Sequence, residues 1–398
     1  MEFVSRLNPL RRTVPNLVVA QRVIDKMTSA AAHFIEDETG EAMVGLLVPG
    51  AHTNGVPTLY VLDTIAPDES AVRQFHTFQQ GDERQDELIW WLQENWRIYR
   101  EKRRDKRGQP LASKWDVPLR YLGDWHKQPG FMIQPSTGDL MTARNWIADE
   151  ENGMDFLLAP IVTLGHPALS SGEQAGANFV SFSQGDDTNL RADFWYIDRH
   201  YRDFLPICPS VYPNEQLPEL PDYPWHLVNG TRFNAEYDLM EKDGLFTTLV
   251  LWDAGHAPPL DICFLTARVG AEKVLLLITP WNYPAAPPRA RLAPYQAFGA
   301  DDDLYEVFAG LWQVSEPVSD PPDWKWSEGR YLIDYIYALE EALGLKVAPP
   351  PEALAAGGGG STDGEDPPAA EASTDAVKTD TAPESDESKP DDKPEETA

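Results

Sequence analysis

A short stretch of the sequence, GDWHKQPGFMIQPSTGD at residues 123–139, gathers side chains that can bind a metal ion or move protons. It contains His126, Ser136 and Asp139, and a further carboxylate, Glu38, lies upstream in ETGEAMVG. A catalytic zinc ion binds imidazole nitrogens and carboxylate oxygens and leaves one position for water. The bound water loses a proton near neutral pH, and a nearby carboxylate relays protons. These residue types suggest a zinc-dependent hydrolase of peptide bonds.

On this hypothesis His126 and Asp139 bind the zinc ion, and Glu38 acts as the general base. Ser136 donates a hydrogen bond to the oxyanion that forms during hydrolysis. The spacing alone supports these roles weakly, because a histidine followed by a serine and an aspartate is common by chance. A single histidine at the end of a strand is also more often structural than a metal ligand.

The stretch resembles the signature of the JAMM (MPN-type) metalloproteases, in which His-x-His-Pro is followed at a fixed distance by Ser-x-x-Asp. The preceding Gly123-Asp124-Trp125 is similar to the strand end before this motif in bacterial members. The residues that fall in register with the signature are His126, Pro129, Ser136 and Asp139.

A second, separate motif agrees with this resemblance. ETGEAMVG is similar to the family's Glu-Thr-x-Gly-x-Leu-x-Gly stretch and places Glu38 where the catalytic glutamate lies, although Glu41 stands where glycine is usual. The resemblance covers about residues 15–205. It implies a mixed β-sheet flanked by helices, with layers like those of cytidine deaminases, and a Zn²⁺ cofactor. It also implies isopeptidase activity on a ubiquitin-like modifier or its conjugates.

One departure bears directly on activity: Gln128 stands where the family has its second zinc-binding histidine. An amide oxygen is neutral and a poorer zinc ligand than imidazole. Three alternatives are open. Zinc binds weakly through His126, Asp139 and Gln128; another histidine substitutes; or the site holds no zinc and the domain is a binding module. The candidate substitutes are His33, His76 and His166, and no spacing favours any of them.

The composition restricts the class of protein and its partners. Of 398 residues 42% are hydrophobic and 13 are tryptophan, which is typical of globular domains. The formal net charge is −31, so nonspecific binding to nucleic acid or to an anionic membrane is disfavoured. Residues 347–398 are rich in Pro, Ala, Gly and acidic side chains and contain no aromatic residue, so we expect a disordered acidic tail.

The two cysteines cannot form a disulfide framework or a four-thiolate metal site. Cys208 and Cys263 both lie in apolar runs, and we expect both to be buried. No apolar run approaches the roughly 20 residues that span a bilayer. The first residues, MEFVSRLNPLRRTV, lack the apolar core of a signal peptide, so we expect a cytoplasmic protein.

Apolar strand-like runs alternate with helical periodicity along residues 15–205, which predicts a layered α/β domain. The predicted helices are residues 17–34, 86–106 and 139–148, and the predicted strands are 42–48, 58–62, 119–125, 156–164, 179–182 and 194–197. The second of these helices ends in a basic run, RIYREKRRDKR. We interpret that run as a solvated helix end with internal ion pairs, or alternatively as a contact for an acidic partner or for the acidic tail.

Prolines crowd residues 206–228, which we interpret as a connector. Residues 229–346 then predict a helix, a three-strand antiparallel meander, the sequence PWNYPAAPP and a final helix that ends at Gly344. This order resembles the ubiquitin-conjugating-enzyme fold, and in particular its inactive and RWD-like relatives, because no His-Pro-Asn and no cysteine follow Pro288. The resemblance implies a second, α+β domain that is not catalytic.

Two functions of different classes follow from these features. The first is a JAMM-type zinc isopeptidase, with Gln128 as an impaired ligand. The second is a non-catalytic adaptor that binds ubiquitin-like proteins or their conjugation enzymes through both folded domains. A third, a nucleic-acid role for the basic run, is disfavoured by the overall acidity.

Overall fold

The apolar runs of the sequence become strands, and most longer runs with helical periodicity become helices. The structure, a computed structural model, describes residues 14–75, 77–80, 83–168, 176–185, 187–255, 258–299 and 302–345. The tail predicted at 347–398 lies outside the described residues.

The elements up to residue 212 are β1 (Asn16–Ala20), α1 (Gln21–His33), β2 (Gly40–Val48), β3 (Thr58–Ile65), β4 (Val72–Gln74), β5 (Thr77–Gln79), α2 (Glu83–Lys102), β6 (Leu119–Lys127), α3 (Thr137–Ala148), β7 (Phe156–Leu158), β8 (Ile161–Pro167), β9 (Phe179–Ser183), β10 (Thr188–Asp193), β11 (Trp195–Asp198), β12 (Leu205–Pro206) and β13 (Pro209–Tyr212).

Eight of these strands form a mixed sheet in the order β13-β1-β3-β2-β6-β8-β10-β9. Strand β1 runs parallel to both β13 and β3, and β6 runs parallel to β8, whereas the other pairs are antiparallel. Strand β2 is buried almost throughout, as its continuous apolar run indicates. The predicted mixed sheet with flanking helices is therefore present.

Two predicted elements differ from the structure for local reasons. The helix predicted from Leu17 begins only at Gln21, because residues 17–20 form a strand that is buried on both faces. The single strand predicted at 156–164 is two strands in different sheets. Pro160 lies between them. Because proline has no backbone N–H, it interrupts the hydrogen bonding of a strand. Strand β7 instead joins a three-stranded sheet in the order β12-β11-β7.

The proline-rich residues 206–228 do more than connect two parts of the chain. Residues 209–212 form strand β13, which pairs in parallel with β1 at the edge of the large sheet. The domain boundary proposed there stays a prediction. Cys208, expected to be buried, is instead exposed, because it lies between this edge strand and β12; Cys263 is buried as expected.

The rest of the described chain is organised around a five-stranded antiparallel sheet in the order β14-β15-β16-β17-β18. The meander and the final helix agree with the sequence-based prediction, and the amphipathic helix α6 was not predicted. The elements are α4 (Trp225–Val228), α5 (Gly230–Lys242), β14 (Leu245–Trp252), β15 (Asp261–Arg268), β16 (Lys273–Thr279), β17 (Arg289–Pro294), α6 (Leu304–Val314), β18 (Glu316–Val318) and α7 (Leu332–Leu343).

Strand β15 is buried at every position because both faces of this sheet are covered. Phe264 packs into the same cluster as Ile336 of α7, whereas its neighbour Cys263 packs with Phe308 of α6. The first of these clusters is continuous from Leu17 to Leu339 and so joins both parts of the chain. Among the described residues, no helix is both long enough and apolar enough to cross a membrane.

Several basic side chains of the run at the end of α2 pair with carboxylates from elsewhere in the folded chain, and not only with those within the helix. Lys102 contacts Asp253 at 2.5 Å, and Lys106 contacts Asp222 at 2.5 Å. Arg107 pairs with Glu219. Surface pairs of this kind stabilise a fold little individually. They do leave less unpaired positive charge on this run for an acidic partner.

Candidate functional site

The pairing of β2 with β6 brings the two sequence motifs together. Gly40 is the pairing partner of His126, and the backbone N–H of Lys127 donates to the carbonyl of Thr39 at 2.6 Å. A Cβ on Gly40 would lie 2.2 Å from the carbonyl oxygen of Trp125, so glycine is required for this close approach. Glu38, just before β2, is thereby held beside the end of β6.

On its other side, the end of β6 is fixed by β8. The N–H of His126 donates to the carbonyl of Pro160 at 3.1 Å, and that of Gln128 donates to Val162 at 2.9 Å. The buried Lys127 points away from the pair and donates from Nζ to the carbonyl of Ile35 at 2.6 Å. The histidine and glutamine side chains therefore project together from a backbone that is hydrogen-bonded on both sides.

Ser136 and Asp139 begin helix α3 as a capping box. The Ser136 hydroxyl oxygen accepts from the N–H of Asp139 at 3.1 Å, and Asp139 Oδ2 accepts from the N–H of Ser136 at 2.6 Å. The cap uses a lone pair of the hydroxyl and leaves its proton free to donate. The Ser-x-x-Asp spacing therefore has a structural role as well as the proposed chemical one.

The orientation of the Gln128 amide follows from its hydrogen bonds. With the nitrogen towards the following loop, it donates to the carbonyl of Met132 at 2.6 Å and to that of Gln134 at 3.1 Å. The amide oxygen then faces His126 Nε2 at 3.1 Å and Asp139 Oδ2 at 3.3 Å. His126 Nε2 and Asp139 Oδ2 are 3.8 Å apart.

These three atoms, one from each side chain, converge as a ligand set would. Ligands around a tetrahedral zinc ion with bonds of about 2.0 Å lie roughly 3.3 Å apart, which the three distances approach. Among the described residues, no group of three or more His, Cys, Asp or Glu side chains is arranged to hold a metal ion. The donor set therefore fits zinc in geometry only if the Gln128 amide oxygen takes part.

The candidate substitute histidines do not join this group. Neither His33 nor His166 lines the cavity that His126 and Asp139 share. His166 Nε2 instead lies 2.7 Å from the Thr163 hydroxyl oxygen, and its ring contacts that of Phe131. His76 lies outside the described residues. Glu41, the other departure from the motif, is buried and accepts a hydrogen bond from Thr64, away from the cavity.

Glu38 lines the same cavity, whose volume is about 310 Å³. Burial and the nearby charge of Asp139 raise the pKa of Glu38 to about 7, against the opposing effect of Lys127. Burial lowers the pKa of His126, although Asp139 opposes this, so its imidazole is neutral at neutral pH. A carboxyl with such a pKa exchanges protons readily at neutral pH, as a general base must.

A larger cavity of about 830 Å³ opens beside these residues and is also lined by Glu38, His126 and Asp139. Sequence analysis missed two of its polar side chains, Tyr121 and Asp124, which lie on β6. The Tyr121 hydroxyl donates to Asp124 Oδ2 at 2.6 Å. The available signal was an acidic residue between two buried positions of β6, Gly123 and Trp125.

Comparison with known proteins adds no family assignment. No protein-family profile and no curated protein matches the sequence. Among solved structures, the chain is similar to protein DSY2949 from Desulfitobacterium hafniense, solved in solution, with 10% identity and a TM-score of 0.27. The match covers 50% of this chain and 93% of that one. At this TM-score the likeness carries no argument about fold or function.

Proposed function

We propose that this chain is a JAMM-type zinc metallopeptidase that hydrolyses the peptide or isopeptide bond behind a ubiquitin-like modifier. One observation carries the proposal: the lone-pair atoms of His126, Gln128 and Asp139 converge within 3.1–3.8 Å of one another, at a cavity that Glu38 also lines. The resemblance of the two motifs to the JAMM signature supplies the reaction class, and the second sheet's resemblance to ubiquitin-conjugating enzymes supports the substrate class by analogy.

In this proposal His126, Asp139 and the Gln128 amide oxygen would hold a zinc ion, which would supply a water acidic enough to attack a carbonyl near neutral pH. Glu38 takes up the proton released on attack and returns it to the leaving amine. The free Ser136 hydroxyl proton stabilises the oxyanion. The Met132 and Gln134 carbonyls orient the amide oxygen by binding its nitrogen.

The second candidate is a non-catalytic adaptor that binds ubiquitin-like proteins or their conjugation enzymes. The observation that favours it is the contact between Gln128 and His126. With Nε2 protonated, the imidazole donates to the amide oxygen at 3.1 Å, which satisfies both groups without a cation.

In the second sheet, Cys263 is fully buried and burial raises its pKa well above the usual value, which does not favour thioester chemistry.

Zinc stoichiometry and cleavage together separate these candidates. The full chain is saturated with zinc, desalted and analysed for bound metal, and is then incubated with ubiquitin-like proteins that carry a C-terminal peptide extension. The enzyme binds one zinc per chain and releases the extension, whereas Glu38→Gln retains the zinc and loses cleavage. A chain that binds no zinc at saturation refutes the enzyme and leaves the adaptor.

A further inference from the structure

We propose that Trp195 is a positioning residue for the candidate metal site. By fixing the loop of residues 129–135, its indole N–H keeps the Gln128 amide turned so that the oxygen, the atom that a metal ion can bind, faces His126 and Asp139. The metal-binding part of this inference rests on the proposed function, whereas the orientation of the amide does not.

The position of the Gln128 side chain admits two orientations of its amide. With the nitrogen inward, the amide would donate to Asp139 Oδ2 at 3.3 Å and to a neutral imidazole at His126 Nε2, 3.1 Å away. Its oxygen would then face the carbonyl oxygens of Met132 and Gln134. Since an oxygen cannot donate, both carbonyls would lose their donor. These two carbonyls therefore select the orientation in which the amide oxygen faces inward.

The loop that carries these carbonyls is largely exposed. The side chains of Phe131 and Met132 are 62% and 51% exposed, and Gln134 is exposed as well. The Phe131 ring contacts that of His166, with 4.9 Å between the ring centroids. Segments with little buried apolar surface open at a low free-energy cost, so hydrogen bonds have a large part in holding this loop.

One of these hydrogen bonds comes from a distant strand. The carbonyl of Ile133, between the two carbonyls that bind the amide, accepts from the indole nitrogen of Trp195 at 2.9 Å. Three successive carbonyls of the loop thus bind two side chains, Gln128 and Trp195. If the indole bond were lost, the Ile133 carbonyl and its neighbours would be free to move away from the Gln128 nitrogen.

Trp195 lies on strand β11 and is connected to the same backbone as His126. Its carbonyl accepts from the N–H of Ala159 at 2.8 Å, and the carbonyl of the next residue, Pro160, accepts from the N–H of His126 at 3.1 Å. Residues 159–160 therefore join β11 to the end of β6 that carries the candidate ligands. The indole consequently fixes the loop relative to the site itself.

The test follows the Gln128 amide in the metal-free full chain. Glutamine labelled with nitrogen-15 in its side-chain amide reports hydrogen exchange of this group by NMR, and the signal is identified by its loss in Gln128→Met. Trp195→Phe removes the indole donor and accelerates the exchange by about fivefold or more, because the loop opens more often.

The matched control is Trp326→Phe. The half-buried indole of Trp326 also donates to a backbone carbonyl, that of Pro284 at 2.8 Å, but it lies in the part of the chain around the five-stranded sheet. Its loss leaves the exchange of the Gln128 amide unchanged. Replacing Trp195 with benzothienylalanine keeps the shape of the ring and removes only the N–H, which tests the inference should Trp195→Phe fail to fold. Unchanged exchange in either folded variant of Trp195 overturns the proposal.

Competition with a chelator gives the readout at the metal site. Trp195→Phe weakens zinc binding by about threefold or more, as expected for a group that orients a ligand from outside the site, and Trp326→Phe does not. Equal zinc affinity in Trp195→Phe and the unaltered chain overturns the role of Trp195 at the metal site. An unaltered chain that binds no zinc refutes the proposed function, and the exchange measurement then still decides whether Trp195 positions the amide.

Discussion

At the scale of single residues, the site depends on one amide. Two backbone carbonyls hold the nitrogen of Gln128, and this directs its oxygen towards His126 and Asp139. The amide has the right position for a metal ligand but is a weaker donor than the imidazole found there in the JAMM signature. The position of the amide oxygen therefore favours metal binding, whereas its weak donor strength disfavours it. Substitution of Gln128 tests these two effects separately.

Replacing Gln128 with histidine raises the affinity for zinc, by about tenfold or more, since a ligand set with two imidazoles and a carboxylate is typical of catalytic zinc sites. Competition with a chelator measures the dissociation constant. The matched control is Gln216→His, at an exposed position far along the chain, which adds the same side chain away from the site. Equal zinc affinity in the two variants contradicts the proposed arrangement of His126 and Asp139.

The ionisation of Glu38 is directly measurable. Carbon-13 NMR of its carboxyl, identified by its loss in Glu38→Gln, titrates with a midpoint near the expected pKa of about 7 in the metal-free protein. Glu38 is thus mostly protonated below that pH and mostly ionised above it. Asp139→Asn shifts the midpoint downwards, because the charge of Asp139 is one cause of the raised pKa. An ordinary midpoint near 4.5 contradicts the burial of Glu38.

At the scale of elements, the site depends on how closely the strand β6 is packed. Gly123 has a φ of +127°, and a Cβ there would lie 2.1 Å from the carbonyl oxygen of Leu158 on β7. Only glycine combines this backbone conformation with that contact. The position of β6, and of the histidine three residues later, is set in part by this approach.

Gly123→Ala destabilises the fold by more than the roughly 1–3 kcal/mol that an unfavourable backbone conformation costs by itself. The control is Gly165→Ala, which has φ of +72° and no neighbouring atom within 4 Å of the added Cβ. Chemical denaturation of both variants measures the difference between them. If Gly123→Ala loses no more stability than Gly165→Ala, the close contact with β7 is not needed.

Some helices and strands could be predicted from the sequence alone, and others could not. The apolar runs of β2, β3 and β6 and the periodic patterns of α2, α5 and α7 were readable because a local pattern determines each of them. Strand β10 was missed because its sequence TNLRAD lacks an apolar run, and it forms by pairing with β8 and β9. Tertiary pairing overrides local preference there.

The candidate site was only partly predictable for a related reason. His126, Ser136 and Asp139 lie close in sequence, and Glu38 was connected to them by motif resemblance rather than by spacing. The Gln128 contacts with Met132 and Gln134, and the larger cavity around Asp124, depend on loops and helices packed from distant positions. No local pattern encodes such contacts.

At the scale of the whole molecule, a buried hydrogen bond links helix α2 to the five-stranded sheet region. Asn95 is fully buried; its nitrogen donates to the carbonyl of Trp91, and its oxygen accepts from the N–H of Leu260, each at 2.9 Å. Together with the continuous apolar cluster from Leu17 to Leu339, this contact couples the two parts of the chain.

Asn95→Ala therefore lowers the free energy of unfolding by about 1–3 kcal/mol, because it leaves the buried N–H of Leu260 without an acceptor. The half-buried Gln93 on the same helix provides the control variant, Gln93→Ala, which changes stability by less than about 0.5 kcal/mol. Denaturation followed by tryptophan fluorescence measures both. A loss in Asn95→Ala no larger than in the control contradicts the coupling.

The position of β13 also constrains the order of events during synthesis. Strand β1 pairs on one side with β3, which follows closely in the sequence, and on the other side with β13, where Leu17 is the partner of Pro209. While the chain emerges from the ribosome, that second edge of β1 stays open until residue 212 is available. An open strand edge invites pairing with another chain. Synthesis of the first part of the proline-rich segment, up to residue 212, is thus the step that covers this edge of β1.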